Sequence, residues 1–361
     1  MKAGLPHSSR RALLLSLLAG PAAWSSTGHA QDAAALSFPR DFGSHPDFAT
    51  EWWYITGHAR AGEREFGFQL TFFRSRIEAT QTMRSAFAAK QLMFAHAAIT
   101  DLEARRLRHD QRIARTGFGI ASASELDTDL RLRDWSLRRG HDGSLQASLP
   151  ADGFGIELRF APTQPVLLQG DAGRSRKGPD AAQFSYYYSQ PQLAARGALS
   201  VQGRRFEVEG RAWLDHEWSN AFLHPDAVGW DWIGMNLLDG TALMAFQVRR
   251  ADGSALWTGG SMRSADGRLQ VFEGASDPLR FEALAHWTSP RTHATYPIRW
   301  RIATPAGGFE VRALLDDQEL DGQGSTGSVY WEGLSELLDA AGRVVGRGYL
   351  ELTGYARPLK L

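Results

Sequence analysis

Between Gly210 and Phe222 the chain reads GRAWLDHEWSNAF, with His216 between Asp215 and Glu217 and all three between Trp213 and Trp218. In a strand, successive side chains point to opposite faces, so Trp213, Asp215 and Glu217 share one face while Leu214, His216 and Trp218 share the other. One face is acidic, and the other pairs an imidazole with an indole. Two further carboxylates sit beside tryptophans: Glu51 ahead of Trp52 and Trp53, and Asp231 between Trp230 and Trp232. A carboxyl in apolar surroundings keeps its proton to higher pH because desolvation disfavours the anion, as a general acid requires. Aromatic faces stabilise a developing cation through the ring quadrupole. Asp215, His216, Glu217 and Asp231 are therefore the candidate catalytic residues, as acid–base groups in an aromatic setting. The same residues also fit a structural reading, in which a carboxylate pairs with an arginine such as Arg211, His216 satisfies a buried carbonyl and the tryptophans pack a core.

Ligand contacts follow from the aromatic residues. FSYYYSQPQL, Phe184 to Leu193, places Tyr186 and Tyr188 on one strand face and Tyr187 on the other, each with apolar area and a polar tip. Glu51, Trp52, Trp53, Tyr186, Tyr188, Trp218, Trp230 and Trp232 are the residues expected to line a ligand site. Other chemistries lack their signatures. His58, His96, His216 and His224 have no zinc-ligand spacing, Ser219 has no Gly-x-Ser-x-Gly elbow, and GDAGRSRKGPD (Gly170 to Asp180) lacks the P-loop Lys-Ser or Lys-Thr. No metal and no cofactor are expected. Gly170 to Asp180 is read as an exposed, mobile loop that could cover the site.

These groups need strands to position them. FGFQLTF (Phe66 to Phe72) alternates in the period of a half-buried strand, Val201 to Val208 turns at Gly203, and Leu243 to Met262 turns at Asp252-Gly253. Helical stretches are short: Ser85 to Met93, and a turn at Leu334 to Ala340. An all-β chain is expected, and first strands are placed at Trp52 to Gly57 and Trp230 to Met235. EWWYITGHARAGEREFGFQLTFF and GWDWIGMNLLDGTALMAFQVRR echo one another, each a Trp-rich strand returning through Phe-Gln-apolar. Such an echo at long separation reads as a duplicated domain.

Composition narrows the compartment. Met1 to Ala30 has a basic start with Lys2, Arg10 and Arg11, an apolar run and a small-residue exit, the layout of a cleavable export signal, with paired arginines of the twin-arginine kind. The run is too short for a permanent membrane anchor. A periplasmic or secreted protein is expected. Lys and Arg together number 40, as do Asp and Glu, so no nucleic-acid partner is expected. With no cysteine, disulfides and thiol chemistry are excluded, and packing must hold the fold.

Six motifs in order, HPDFATEWWYITGH, FGFQLTFFR, AHAAITD, WLDHEWSNAF, GWDWIGMNLLDGTALMAFQVR and RGYLELTGY, resemble the CrtC/AttH family, and the AttH-like branch more than the carotenoid 1,2-hydratases. The resemblance implies two lipocalin-like antiparallel β-barrel domains in tandem with space for an apolar ligand; His96, in AHAAITD, joins the ligand-lining set. The expected organisation is an export signal at 1–30, an N-terminal domain at 31–222 and a C-terminal domain at 223–361. Binding of a lipid-like or isoprenoid-like molecule near the domain junction is the leading expectation. The resemblance also implies two other roles: a cofactor-independent hydratase, and a structural accessory of an ABC-type envelope transport complex.

Overall fold

The computed structural model describes residues 35–274 and 279–359; the export-type segment at Met1 to Ala30 lies outside them. The described chain is all-β, built of two antiparallel sheets of lipocalin-like design in tandem. A 13-stranded sheet takes the strands from Thr50–Ala61 to Arg204–Ser219, and a 10-stranded sheet takes those from Gly229–Leu237 to Val344–Leu352. Both share one order. In each, the first strand lies between the second and the last: Arg64–Arg76, Thr50–Ala61 and Arg204–Ser219 in one sheet, Ala242–Arg249, Gly229–Leu237 and Val344–Leu352 in the other. Pairing the first strand with the last curls each sheet around its own core.

Those cores follow from the period-two alternation. Trp53, Ile55, Leu70, Phe72 and Leu214 fill the inside of the first sheet, and Ile233, Met235, Trp331 and Leu350 fill the second. A third apolar cluster lies between the sheets and includes Tyr54, Tyr187, Trp213, Trp232, Phe246, Leu334 and Tyr349. The sheets approach closely enough that a Cβ on Gly67 would sit 2.7 Å from the Tyr349 hydroxyl and 3.0 Å from the Leu334 Cβ. Only a residue without a side chain fits there.

This third core changes the meaning of alternation. Arg204–Ser219 alternates between exposed and covered up to Arg211, but every residue from Ala212 to Ser219 is buried. The strand leaves solvent behind and runs between two interiors. The two short helices expected from sequence are not formed. Ser85 to Lys90 is irregular and leads into the strand Gln91–Asp101, while Leu334 belongs to the strand Ser328–Leu338. That second segment is hydrogen-bonded on both sides, by Val344–Leu352 and Gly307–Ala313, so sheet pairing overrides its helical preference. The Gly170 to Asp180 stretch also departs from an exposed loop. Its Arg174–Arg176 segment pairs with Phe184 to Tyr186, and Ser175 and Lys177 are buried.

Candidate functional site

Between the sheets lies a cavity of about 320 Å³. Trp52 and Tyr54 reach it from the first strand of one sheet, and Trp230 and Trp232 from the first strand of the other. Phe73, Phe94, Phe222 and Phe246 add further aromatic wall. Lining residues that keep some exposure, including Thr50, Ser75, Phe222, Ser328 and Leu359, gather at one end of the strands, and Tyr54, Asp215, Trp232 and Glu332 are buried away from it. The cavity therefore has a mouth and a deep end.

Four carboxyl groups face this space: Asp215, Glu217, Glu332 and Glu351. Glu217 has a cation, since the Lys177 ammonium lies 2.7 Å from it and also packs over the rings of Tyr187 and Phe246. Burial still leaves the Glu217 carboxyl above its ordinary range, against the opposing pull of Lys177. Asp215 has no cationic partner among the described residues. Burial pushes it up to about 7, although it accepts hydrogen bonds from Ser189, Trp213 at 2.7 Å and Tyr187 at 2.8 Å. Glu332 and Glu351 are opposite one another on neighbouring strands. Burial pushes Glu351 up to about 8, and burial with the charge of Glu351 holds Glu332 well above the carboxylate range. Gln69 donates to Glu332 Oε2 at 2.6 Å. The Tyr54 hydroxyl and the Glu332 carboxyl interact with one another, and Gln69 Oε1 is buried without a hydrogen-bond partner among the described residues. The deep end thus offers carboxyls whose charge is disfavoured by burial and an under-bonded polar cluster inside an aromatic wall.

On the opposite face of the same strands the chemistry inverts. Glu51 is fully buried and accepts hydrogen bonds from Arg74 Nε at 2.8 Å, Ser44 Oγ at 2.8 Å and the His45 amide at 3.0 Å. His45 Nδ1 at 2.8 Å and His216 Nε2 at 3.0 Å complete its shell. Burial opposes the Glu51 anion, but hydrogen bonds from His216 and His45 and the nearby positive charge outweigh it and hold the carboxyl well below its usual range. Asp41 contacts the other His45 nitrogen at 3.1 Å. Burial works against charge on His45 too, yet its bonds to Asp41 and Glu51 prevail and raise its pKa. The His45 ring stacks on Trp218 with ring centroids 3.7 Å apart. His216 is different: burial lowers it to about 4, and its neutral ring donates to Glu51 and accepts from the Tyr188 hydroxyl at 3.1 Å. Ligating atoms of His45, Glu51 and His216 lie within 4.8 Å of one another, a grouping that could hold a metal ion. Each of their ring nitrogens already has a hydrogen-bond partner, and the Arg74 guanidinium occupies the other side of Glu51. The group reads as an ionic network that locks the barrel interior.

The family model described as AttH-like matches residues 29–355. The chain belongs to the AttH-like family. An AttH-type protein from Nitrosomonas europaea, known from a crystal structure, is 44% identical with a TM-score of 0.84, over 90% of this chain and 98% of that one. Kievitone hydratase from Nectria haematococca is similar at 15% identity and a TM-score of 0.69, over 90% of this chain and 94% of that one. CghA, solved with Sch210972, is similar at 15% identity and a TM-score of 0.53, over 86% and 89% of the two chains. The last two likenesses are of fold alone. No curated protein matches significantly.

Within this AttH-like chain, the residues expected to do chemistry divide between two compartments. Asp215, Glu217, Trp52, His96, Trp230 and Trp232 line the cavity. His216, Trp218 and Asp231, of which at least one was expected there, do not. Trp218, Trp53 and Tyr188 belong to the first barrel's core, with Tyr186 packed against it, and Glu51 and His216 form the ionic network there. Asp231 turns into the second barrel, where Arg249 lies 3.0 Å away and Gln247 and Tyr355 donate to it. Arg211, the partner envisaged for Asp215 or Glu217, is exposed. Sequence reasoning missed Glu332, Glu351, Lys177, Arg74 and His45. The signal for the first two was present: each is a carboxyl set among apolar neighbours, in VYWEGL and GYLEL.

The raised carboxyls predict a pH effect on stability. A carboxyl whose folded pKa exceeds its unfolded value binds a proton on folding, so its cost is absent below the unfolded value and grows as pH rises to the folded one. For Glu351 that window runs from its ordinary 4.5 to about 8. Glu351→Gln is expected to gain stability relative to the parent as pH is raised from about 5 to about 8, read as a growing difference in urea midpoint. A constant difference across that range would mean Glu351 is ionised in the folded protein.

Proposed function

We propose that the protein is exported and holds a mostly apolar, uncharged molecule, lipid-like or isoprenoid-like, in the cavity between its two sheets. One observation carries this reading: an aromatic-walled cavity in which Glu217 ion-pairs with Lys177 and burial disfavours charge on Asp215, Glu332 and Glu351. A charged ligand would gain nothing there that offsets its desolvation. A molecule with an apolar body and one small polar group satisfies both the rings and the under-bonded cluster of Tyr54, Gln69 and Glu332. Binding should bury apolar surface, with a negative heat-capacity change and little salt dependence. In calorimetric titration with the neutral polyene alcohol retinol, Trp232→Ala is expected to weaken binding by about tenfold or more, since truncating a buried aromatic costs roughly 3–5 kcal/mol in a core and less in an open site. Affinity that collapses on adding salt, or is unmoved by Trp232→Ala, would contradict it.

The paired carboxyls favour a second reading, cofactor-independent hydration. A protonated carboxyl of Glu332 or Glu351 would give its proton to one carbon of an alkene, leaving a cation on the other carbon facing the indoles of Trp230 and Trp232. Water would then bond to that carbon and return a proton to the carboxylate, restoring the acid. Incubation of an isoprenoid alkene in ¹⁸O-labelled water is expected to yield labelled tertiary alcohol, with turnover lost in Glu332→Gln or Glu351→Gln and binding retained. Unlabelled substrate recovered intact at high protein concentration would leave binding without hydration.

A further inference from the structure

Away from the cavity, large apolar side chains stand in solvent beside cations, of which Arg84, Lys90, Arg115 and Arg133 have no ion-pair partner among the described residues. Phe87 is 74% exposed, Phe118 57% and Met83 50%. The two phenylalanine rings stack with centroids 5.6 Å apart, and the Arg115 guanidinium lies 4.2 Å over Phe118 and 5.6 Å over Phe87. Phe118 has φ +57 between Gly117 at +99 and Gly119 at +70, the tip of a tight turn. A bulky side chain is disfavoured in that region, so neither backbone preference nor the hydrophobic effect accounts for a ring held outward there.

Charge around the rings is one-sided. The runs 81–91 and 111–120 contain Arg84, Lys90, Arg112 and Arg115 and no Asp or Glu. Arg133 joins them through its Nη2 bond to the Ile113 carbonyl, and Arg115 donates to the Ala86 carbonyl at 3.3 Å. Flanking acids are partly committed elsewhere: Glu78 to Arg76 at 3.0 Å and Asp110 to Arg112 at 2.6 Å, which leaves Asp134 beside Arg133. The place also matters. Phe87 lies in the connection that leaves the sheet after Arg76 and re-enters at Gln91, next to Ser75 at the cavity mouth.

We propose that this patch docks the protein on an anionic bilayer surface, with Phe87, Phe118 and Met83 entering the headgroup and acyl boundary while Arg84, Lys90, Arg115 and Arg133 face lipid phosphates. Rings flanked by cations match that boundary, where apolar bodies insert and long basic side chains keep their charge in water. The rings stand at turn tips, so they fit a deformable surface better than a partner needing a matching pocket. Docking rests on the surface alone and holds whatever the cavity binds.

Co-sedimentation with phosphatidylethanolamine–phosphatidylglycerol vesicles, against phosphatidylcholine vesicles, tests it, with parent and variants carrying the same N-terminus. The parent is expected to sediment with the anionic vesicles and to be released by salt. Arg84→Gln with Lys90→Gln should lower the partition coefficient about 25-fold, because each basic residue near such a surface contributes roughly fivefold. Phe87→Ser with Phe118→Gly should lower it about tenfold or more by removing inserted apolar area, and glycine suits the Phe118 backbone, so folding is kept. Thermal midpoints and retinol affinity close to those of the parent would confirm intact variants. Equal sedimentation of parent and folded variants, or no binding of the parent at low salt, would overturn the proposal, as would capture of the patch by a protein without vesicle binding.

Discussion

Both faces of the Glu51 to Gly57 part of the first strand and of the Ala212 to Ser219 half of its neighbour are covered, and the rest of the structure depends on that constraint. A strand sends alternate side chains in opposite directions whatever lies on either side. Here one direction leads into a barrel and the other into the space between barrels, so a single run of sequence supplies two buried sites. Desolvation penalises ions in both. What differs is the supply of partners. Glu51 has Arg74, His45, His216 and Ser44 around it and stays ionised, while Asp215 has neutral donors and Glu332 has Gln69 and another acid.

The strand order shared by the two sheets explains how the second site arises. Trp52 is opposite Glu217 in the first sheet, and Trp232 is opposite Glu351 in the second. Both pairs face the cavity. On the inner faces Glu51 pairs with Arg74 and Asp231 with Arg249. Each copy therefore has a carboxylate–arginine lock inside and a tryptophan–carboxyl pair outside, and facing the two outer surfaces brings both pairs to one space. Neither barrel alone contains this arrangement. The same repeat thus places the ion-paired carboxylates inside each barrel and the tryptophan–carboxyl pairs at the cavity.

Much of this was legible before the fold was in view. Alternation separated Asp215 and Glu217 from His216 and Trp218 correctly, and the Trp-led echo anticipated the repeated strand order. Which face would meet the cavity was not legible, because a strand covered on both sides has no polar face to mark the outside. That is why Trp53, Tyr188 and Trp218 were grouped with Trp52 and Trp232. Lys177 was hidden by its loop: RSRKGPD has the composition of a solvated turn, and only the pairing of Arg174–Arg176 with Phe184 to Tyr186 turns the lysine inward. Glu332 and Glu351 lie far apart in sequence from Asp215, and only the packing of one sheet on the other makes them neighbours.

The central claim is that the ligand site lies between the sheets and not in the lumen of either barrel. A crystal structure of the protein soaked with retinol tests it most directly. Density between Trp52, Trp230 and Trp232, with the hydroxyl against Glu332 or Tyr54, is the result the account predicts. Density inside the first barrel, among Trp53, Tyr188 and His216, would contradict it.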